Sequence, residues 1–132
     1  MIEIEARKEA ASRTARLDAI FAALADPTRR AIIERLSRSE ARVTELAEPF
    51  DMSLNAVSKH IRVLEASGVV ERHRKGRDHI LSINTRSLDE VDGWIGRTRH
   101  HWEERLDAME RLLLDLKKEQ KPGRKDRKHG SR

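Results

Sequence analysis

Apolar side chains recur in three- and four-residue steps over most of this chain, and the breaks in that rhythm coincide with residues that start or stop helices. Leu17, Ile20, Phe21 and Leu24 lie at helical spacing and predict a first helix from near Ala10 to just before Asp26. Asp26-Pro27 predicts the start of a second, because Asp caps free backbone N–H groups and proline at the first helical position gives up no hydrogen bond. That helix runs to about Arg38, with Ile32, Ile33 and Leu36 on one face. Thr44 begins a short helix through Leu46 and Ala47, which Pro49 ends by removing a donor. After a tight connection Ser53 caps a fourth helix with the stripe Leu54, Val57, Ile61 and Leu64, and Gly68 stands where a left-handed C-terminal cap belongs.

From Val69 the period changes. Val69 to Arg74 and His79 to Ile83 are β-rich and flank the polar Lys75-Gly76-Arg77-Asp78, which predicts a hairpin. Ser87 with Glu90 forms a capping box that opens a last helix to about Lys118, about 48 Å at roughly 1.5 Å per residue. Its stripe of Leu88, Val91, Ile95, Trp102, Leu106, Met109, Leu113 and Leu116, widened by Trp94 and Leu112, is too long for one small domain. Aromatic residues at helical spacing are packing residues, here against the same chain or against a second copy. Short helix, tight turn, capped helix and hairpin is the order of a winged helix-turn-helix. The expected fold class is therefore mainly α with a β-hairpin wing and a long C-terminal dimerisation helix.

Composition bounds this picture. The 132 residues, 37% of them hydrophobic, suffice for one compact domain, expected over 1–116, with a basic disordered tail over 117–132. No apolar run approaches the roughly 20 residues that cross a bilayer, and the N-terminus lacks the pattern of an export signal, so a cytoplasmic protein is expected. The absence of cysteine excludes disulfides, thiolate metal sites and cysteine nucleophiles. The net charge of +5 resides in the tail, which holds eight Lys/Arg against two acids and leaves the remaining chain at −1. Within that body the charge is still sorted. Ser53 to His79 holds six bases and three acids, whereas Ser87 to Leu116 holds four bases and eight acids, so only the first region suits phosphate.

The fourth helix carries the candidate chemistry. With Val57 at the centre of its buried face and about 100° per residue, Asn55, Lys59 and Arg62 fall on the opposite side and Ser58 on the flank. Asn pairs bidentately with adenine, Lys and Arg with guanine or phosphate, and Ser with either. Recognition helices insert their N-terminal end, so Asn55, Ser58 and Lys59 are the base-reading candidates, Arg62 is a phosphate candidate, and the cap Ser53 is a further DNA-binding candidate. Such residues also make an ordinary solvated helix face. The adjoining hairpin decides for DNA, because Arg72, His73, Arg74, Lys75 and Arg77 form a cationic cluster fit for backbone phosphate or the minor groove. His60 lies near the edge of the buried face, where phosphate contact and packing are both open.

Leu24-Ala25-Asp26-Pro27-Thr28-Arg29-Arg30, Glu45-Leu46-Ala47, Val57-Ser58-Lys59-His60-Ile61, Leu64-Glu65-Ala66-Ser67-Gly68-Val69-Val70 and Gly76-Arg77 together resemble the ArsR/SmtB family of bacterial regulators over roughly residues 17 to 115. The resemblance implies a winged-helix homodimer that represses transcription and leaves its operator on sensing a signal. It implies a dimer interface built by the first and last helices, here Leu17, Ile20, Phe21 and Leu24 with Val91, Trp94, Ile95, Trp102, Leu106, Met109 and Leu113. Many members sense metals, yet the helix before recognition reads Thr44-Glu45-Leu46-Ala47-Glu48 with no cysteine pair. His100, His101, Glu104 and Glu90 lie near a second family metal site, but adjacent histidines diverge by about 100°, and a polar helix face is the simpler reading. Pro49-Phe50-Asp51-Met52-Ser53 resembles the subset without recognised metal sites, and Asp51 stands where a turn glycine is common, a left-handed position that Asp tolerates. The expected partners are double-stranded DNA, a second copy and an unknown effector, with no cofactor, metal or membrane. The alternative is a winged-helix module whose basic wing binds an acidic protein; an enzyme is disfavoured by the lack of a phosphate loop or a nucleophile cluster.

Overall fold

The computed structural model describes residues 2–130, with side chains for residues 2–120. The elements are α1 (Ile2–Leu24), α2 (Pro27–Leu36), β1 (Ala41–Arg42), α3 (Val43–Ala47), α4 (Leu54–Ala66), β2 (Val70–Lys75), β3 (Asp78–Ile83) and α5 (Thr85–Gly130). They form two compact units, residues 1–92 and 93–132, the second being the greater part of α5. The core lies wholly in the first unit, where Ile20, Ile32, Leu46, Ile61, Leu64 and Leu81 are sealed from solvent.

Asp26 and the residues after it build a two-helix corner. Asp26 adopts extended backbone and its Oδ2 accepts the Arg29 N–H at 3.0 Å, while Pro27 occupies the first helical position. The corner also closes the preceding helix. Arg29 Nε donates to the Ala23 carbonyl at 2.6 Å and Arg30 to the Leu24 carbonyl at 2.8 Å, satisfying last-turn acceptors that no helical N–H reaches. α1 starts at Ile2 rather than near Ala10, because its first turns, poor in apolar periodicity, are still made of strong helix formers.

The turn into α4 departs from the sequence expectation. Among the described residues only Gly68 (φ +82°) and Gly76 (φ +64°) have left-handed backbone, so Asp51 completes the turn in an ordinary conformation. A third strand, β1, also went unread, since two residues carry no period; it pairs with β3 through Ala41↔Leu81 and Arg42↔Ile80, giving the antiparallel order β1-β3-β2. Glu45 accepts the Arg42 backbone N–H at 3.2 Å where α3 begins. Ser53 Oγ caps α4 by accepting the Ala56 N–H at 3.1 Å, and Gly68 takes the left-handed position after it. Val57, Ile61 and Leu64 are buried as the stripe requires, but Leu54, in the first turn before α4 meets its neighbours, is exposed.

The last helix starts differently from its expected capping box. Asn84 Oδ1 accepts the Arg86 N–H at 3.1 Å, so α5 begins at Thr85. Ser87, now inside the helix and buried, donates to the Gly68 carbonyl at 2.7 Å, and Glu90 pairs with Arg16 of α1 at 3.1 Å. A buried hydroxyl beside an unpaired carbonyl gains more by donating to it than by capping a helix already capped. At the far end α5 passes the boundary expected near Lys118, and Lys117 to Gln120, all tolerant of helix, continue it. The rest of the expected disordered tail, 121–132, lies outside the fully described residues.

Candidate nucleic-acid interface

The capped end of α4 presents a polar face. Asn55, Lys59 and Arg62 are exposed and Ser58 half-buried, as the helical angles require, and the three exposed side chains make no hydrogen bond or ion pair among the described residues. Ser53 is the cap that the sequence predicts: its oxygen accepts the Ala56 N–H, and the hydroxyl proton stays available to an acceptor such as phosphate.

Strands β2 and β3 pair from Val70↔Ile83 to Lys75↔Asp78, closing on a two-residue turn with left-handed Gly76 at its first position. Alternation sorts the cations of β2 onto two faces. On one, Arg72 donates to Glu65 of α4 at 2.7 Å, which ties wing to helix and holds the Arg72 guanidinium more firmly protonated; Arg74 shares that face. On the other, His73 and Lys75 converge on Glu40 at 3.2 and 2.6 Å, and the Lys75 hydrogen bond holds the Glu40 carboxyl below the usual carboxylate range. The sequence cluster therefore divides. Arg74 and Arg77 meet no partner among the described residues, whereas Arg72 and Lys75 are already neutralised within the chain. No local sequence signal distinguishes these, since Glu40 lies 33 and 35 positions from its partners.

His60 is resolved toward packing. Its ring is three-quarters buried against the α1–α2 corner, with Nδ1 at 3.4 Å from an Arg29 nitrogen and 3.8 Å from Asp26 Oδ2. These Nδ1 contacts favour the packing role of the two that the sequence leaves open. What the sequence missed is that the Asp26, Arg29 and His60 motifs form one cluster joining the corner to α4.

The expected dimer residues also divide. Ile20 is 1% exposed and belongs to the chain's own core, whereas Leu17 is half-buried outside that cluster and Phe21 is 37% exposed. Leu24 and Val91 pack against that core. In the second unit Trp94, Ile95, Trp102, Leu106, Met109 and Leu113 are each 41–59% exposed. His100, not His101, pairs with Glu104, at 3.0 Å one turn away, and both are mostly exposed. Among the described residues no group of three or more His, Cys, Asp or Glu could hold a metal ion.

Comparison with known proteins bears on the same stretch. Residues 24–73 match the model of a helix-turn-helix domain. The transcriptional repressor SdpR of Bacillus subtilis is 34% identical over 76 residues, covering 58% of this chain and 84% of SdpR. A crystal structure of an ArsR family transcriptional regulator is 46% identical with a TM-score of 0.64, covering 68% of this chain and 93% of its own. An ArsR-like transcriptional regulator from a Rhodococcus species is 31% identical with a TM-score of 0.67, covering 75% and 93%.

Proposed function

This chain belongs to the ArsR/SmtB family of winged helix-turn-helix transcriptional regulators, and from that footing we propose that it represses transcription by holding a pseudo-palindromic operator as a homodimer until a signal releases it. The observation that carries this reading is the face of α4. Asn55, Lys59 and Arg62 stand exposed and unpaired on a helix whose start is fixed by Ser53, while nearby cations are neutralised within the chain. Side chains held out without partners on one helix suit the major groove, and Arg74 and Arg77 at the wing suit the flanking backbone.

The second copy is supported by α5. Its row of half-exposed apolar side chains from Trp94 to Leu116 is more than a soluble monomer leaves open along one helix, and closed two-fold pairing is the simplest cover. Two-fold symmetry in turn gives an inverted-repeat operator. A regulator that acts on operator DNA would work in the cytoplasm, where the DNA of a bacterial cell lies; no helix among the described residues is long and apolar enough to cross a membrane. The releasing signal is one that needs no thiolate ligand from this chain, because the sequence has no cysteine.

The test is selection of genomic fragments by the purified protein at two salt concentrations, with zinc or with a chelator. One enriched inverted repeat, insensitive to both additions, is expected. No enrichment at either salt would replace operator binding with an acidic protein partner for the wing.

A further inference from the structure

Leu54 lies outside the core cluster, although its spacing places it in the buried stripe of α4. It is 51% exposed, and Met52, just before the cap, is 37% exposed. At about 100° per residue Leu54 lies about 60° from the direction of Val57 and about 40° from that of Ser58, one turn further on. Asn55 follows it directly, and by the same angles Leu54 sits at the border between the buried stripe and the polar face, about 40° from Ser58, about 80° from Arg62 and about 140° from Lys59. A single exposed leucine is ordinary on a protein surface. This one occupies the end of the helix that enters the groove, where it leaves water on binding.

What it could meet there is narrowly defined. The base edges of the major groove offer donors and acceptors and one apolar group, the C5-methyl of thymine. We infer that Leu54, with Met52 beside it, reads thymine methyl groups and is a specificity determinant of the operator half-site, an inference that rests on the operator-binding reading above. The chemistry divides naturally along the first turn: Asn55 has the donor and acceptor that match adenine, and Leu54 has neither. The selected half-site therefore holds a thymine close to the adenine that Asn55 reads. A protein partner for the same side chain is disfavoured by the unpaired Asn55, Lys59 and Arg62 on the adjoining face, which match a polyanion.

The experiment uses the full chain and a duplex obtained by selection from random sequence. Each thymine of one half-site is replaced in turn by deoxyuridine, which removes the methyl and keeps the base pair. Wild type is expected to lose about threefold to fivefold in affinity at one or two positions, the range for burying one methyl group. Leu54→Ala, at an exposed site that leaves folding intact, should bind the thymine and uracil duplexes alike at those positions. Equal affinity of the wild type for thymine and uracil at every position, with sequence selection retained, overturns the role of Leu54 alone. Failure to select any sequence overturns operator binding, and Leu54 with it.

Discussion

On the proposed operator-binding reading, Asn55 and Arg74 carry different information although both are polar, exposed and unpaired among the described residues. An amide on the groove-facing side of a helix discriminates between base edges, whereas a guanidinium on a strand meets the same phosphates on any sequence. Asn55→Ala is expected to weaken the operator by roughly 1 to 3 kcal/mol with little change on random duplex, and Arg74→Ala to weaken both alike. Competition titrations with the two duplexes check this; equal loss on both duplexes for both variants contradicts the division. Asp26 illustrates a different economy, in which one carboxylate closes a corner. The Arg29 backbone N–H, and then the nearby His60 and Arg29 charges, hold its carboxyl below the ordinary 3.8, so the cap stabilises the fold above that pH and fades as pH falls through the lowered value. Asp26→Asn keeps an acceptor and loses the titration. Its melting temperature should therefore fall less than that of wild type on acidification below pH 3.8, as followed by circular dichroism.

At the scale of elements, the wing is a hairpin whose charge has been partly spent internally. Glu40, just before β1, sits against His73 and Lys75, and Glu65 of α4 holds Arg72. These pairs are half-exposed, so each contributes little to stability, on the order of 0.5 kcal/mol for the better-buried Arg72–Glu65 pair. Their effect on phosphate binding is larger, because a neutralised cation releases no counterion. Glu40→Gln is expected to raise affinity for random duplex severalfold at low salt and to steepen the salt dependence by about one phosphate contact. Fluorescence anisotropy at several salt concentrations measures the slope. An unchanged slope would mean that the Lys75 face of the wing never meets the backbone.

At the scale of the whole molecule, two apolar sets do different work. Ile20, sealed in the core of the first unit, holds the fold, and Ile20→Ala should cost about 2 to 5 kcal/mol in urea unfolding. Leu106, 41% exposed on α5, is not part of that core. Leu106→Glu is therefore expected to leave the helical circular dichroism intact while sedimentation shifts from dimer toward monomer and operator affinity falls. A variant that still sediments as the wild type does would place the second copy elsewhere.

Elements whose causes are local were legible in the residues alone. Asp26-Pro27, Ser53 and Gly68 mark their helix ends because caps act within a turn, and the exposed face of α4 follows from angle alone. Even the hairpin turn was legible, since Gly76 supplies the backbone conformation it needs. Only the tertiary structure decided what depended on distant neighbours. It added β1 through pairing with β3, turned Ser87 from a cap into a donor to Gly68, drew His60 into the Asp26–Arg29 corner and Ile20 into the core, and left Leu54 open. It also chose which wing cations remain free, because a charge is neutralised by whatever the fold brings within hydrogen-bond reach, and sequence spacing does not encode that distance.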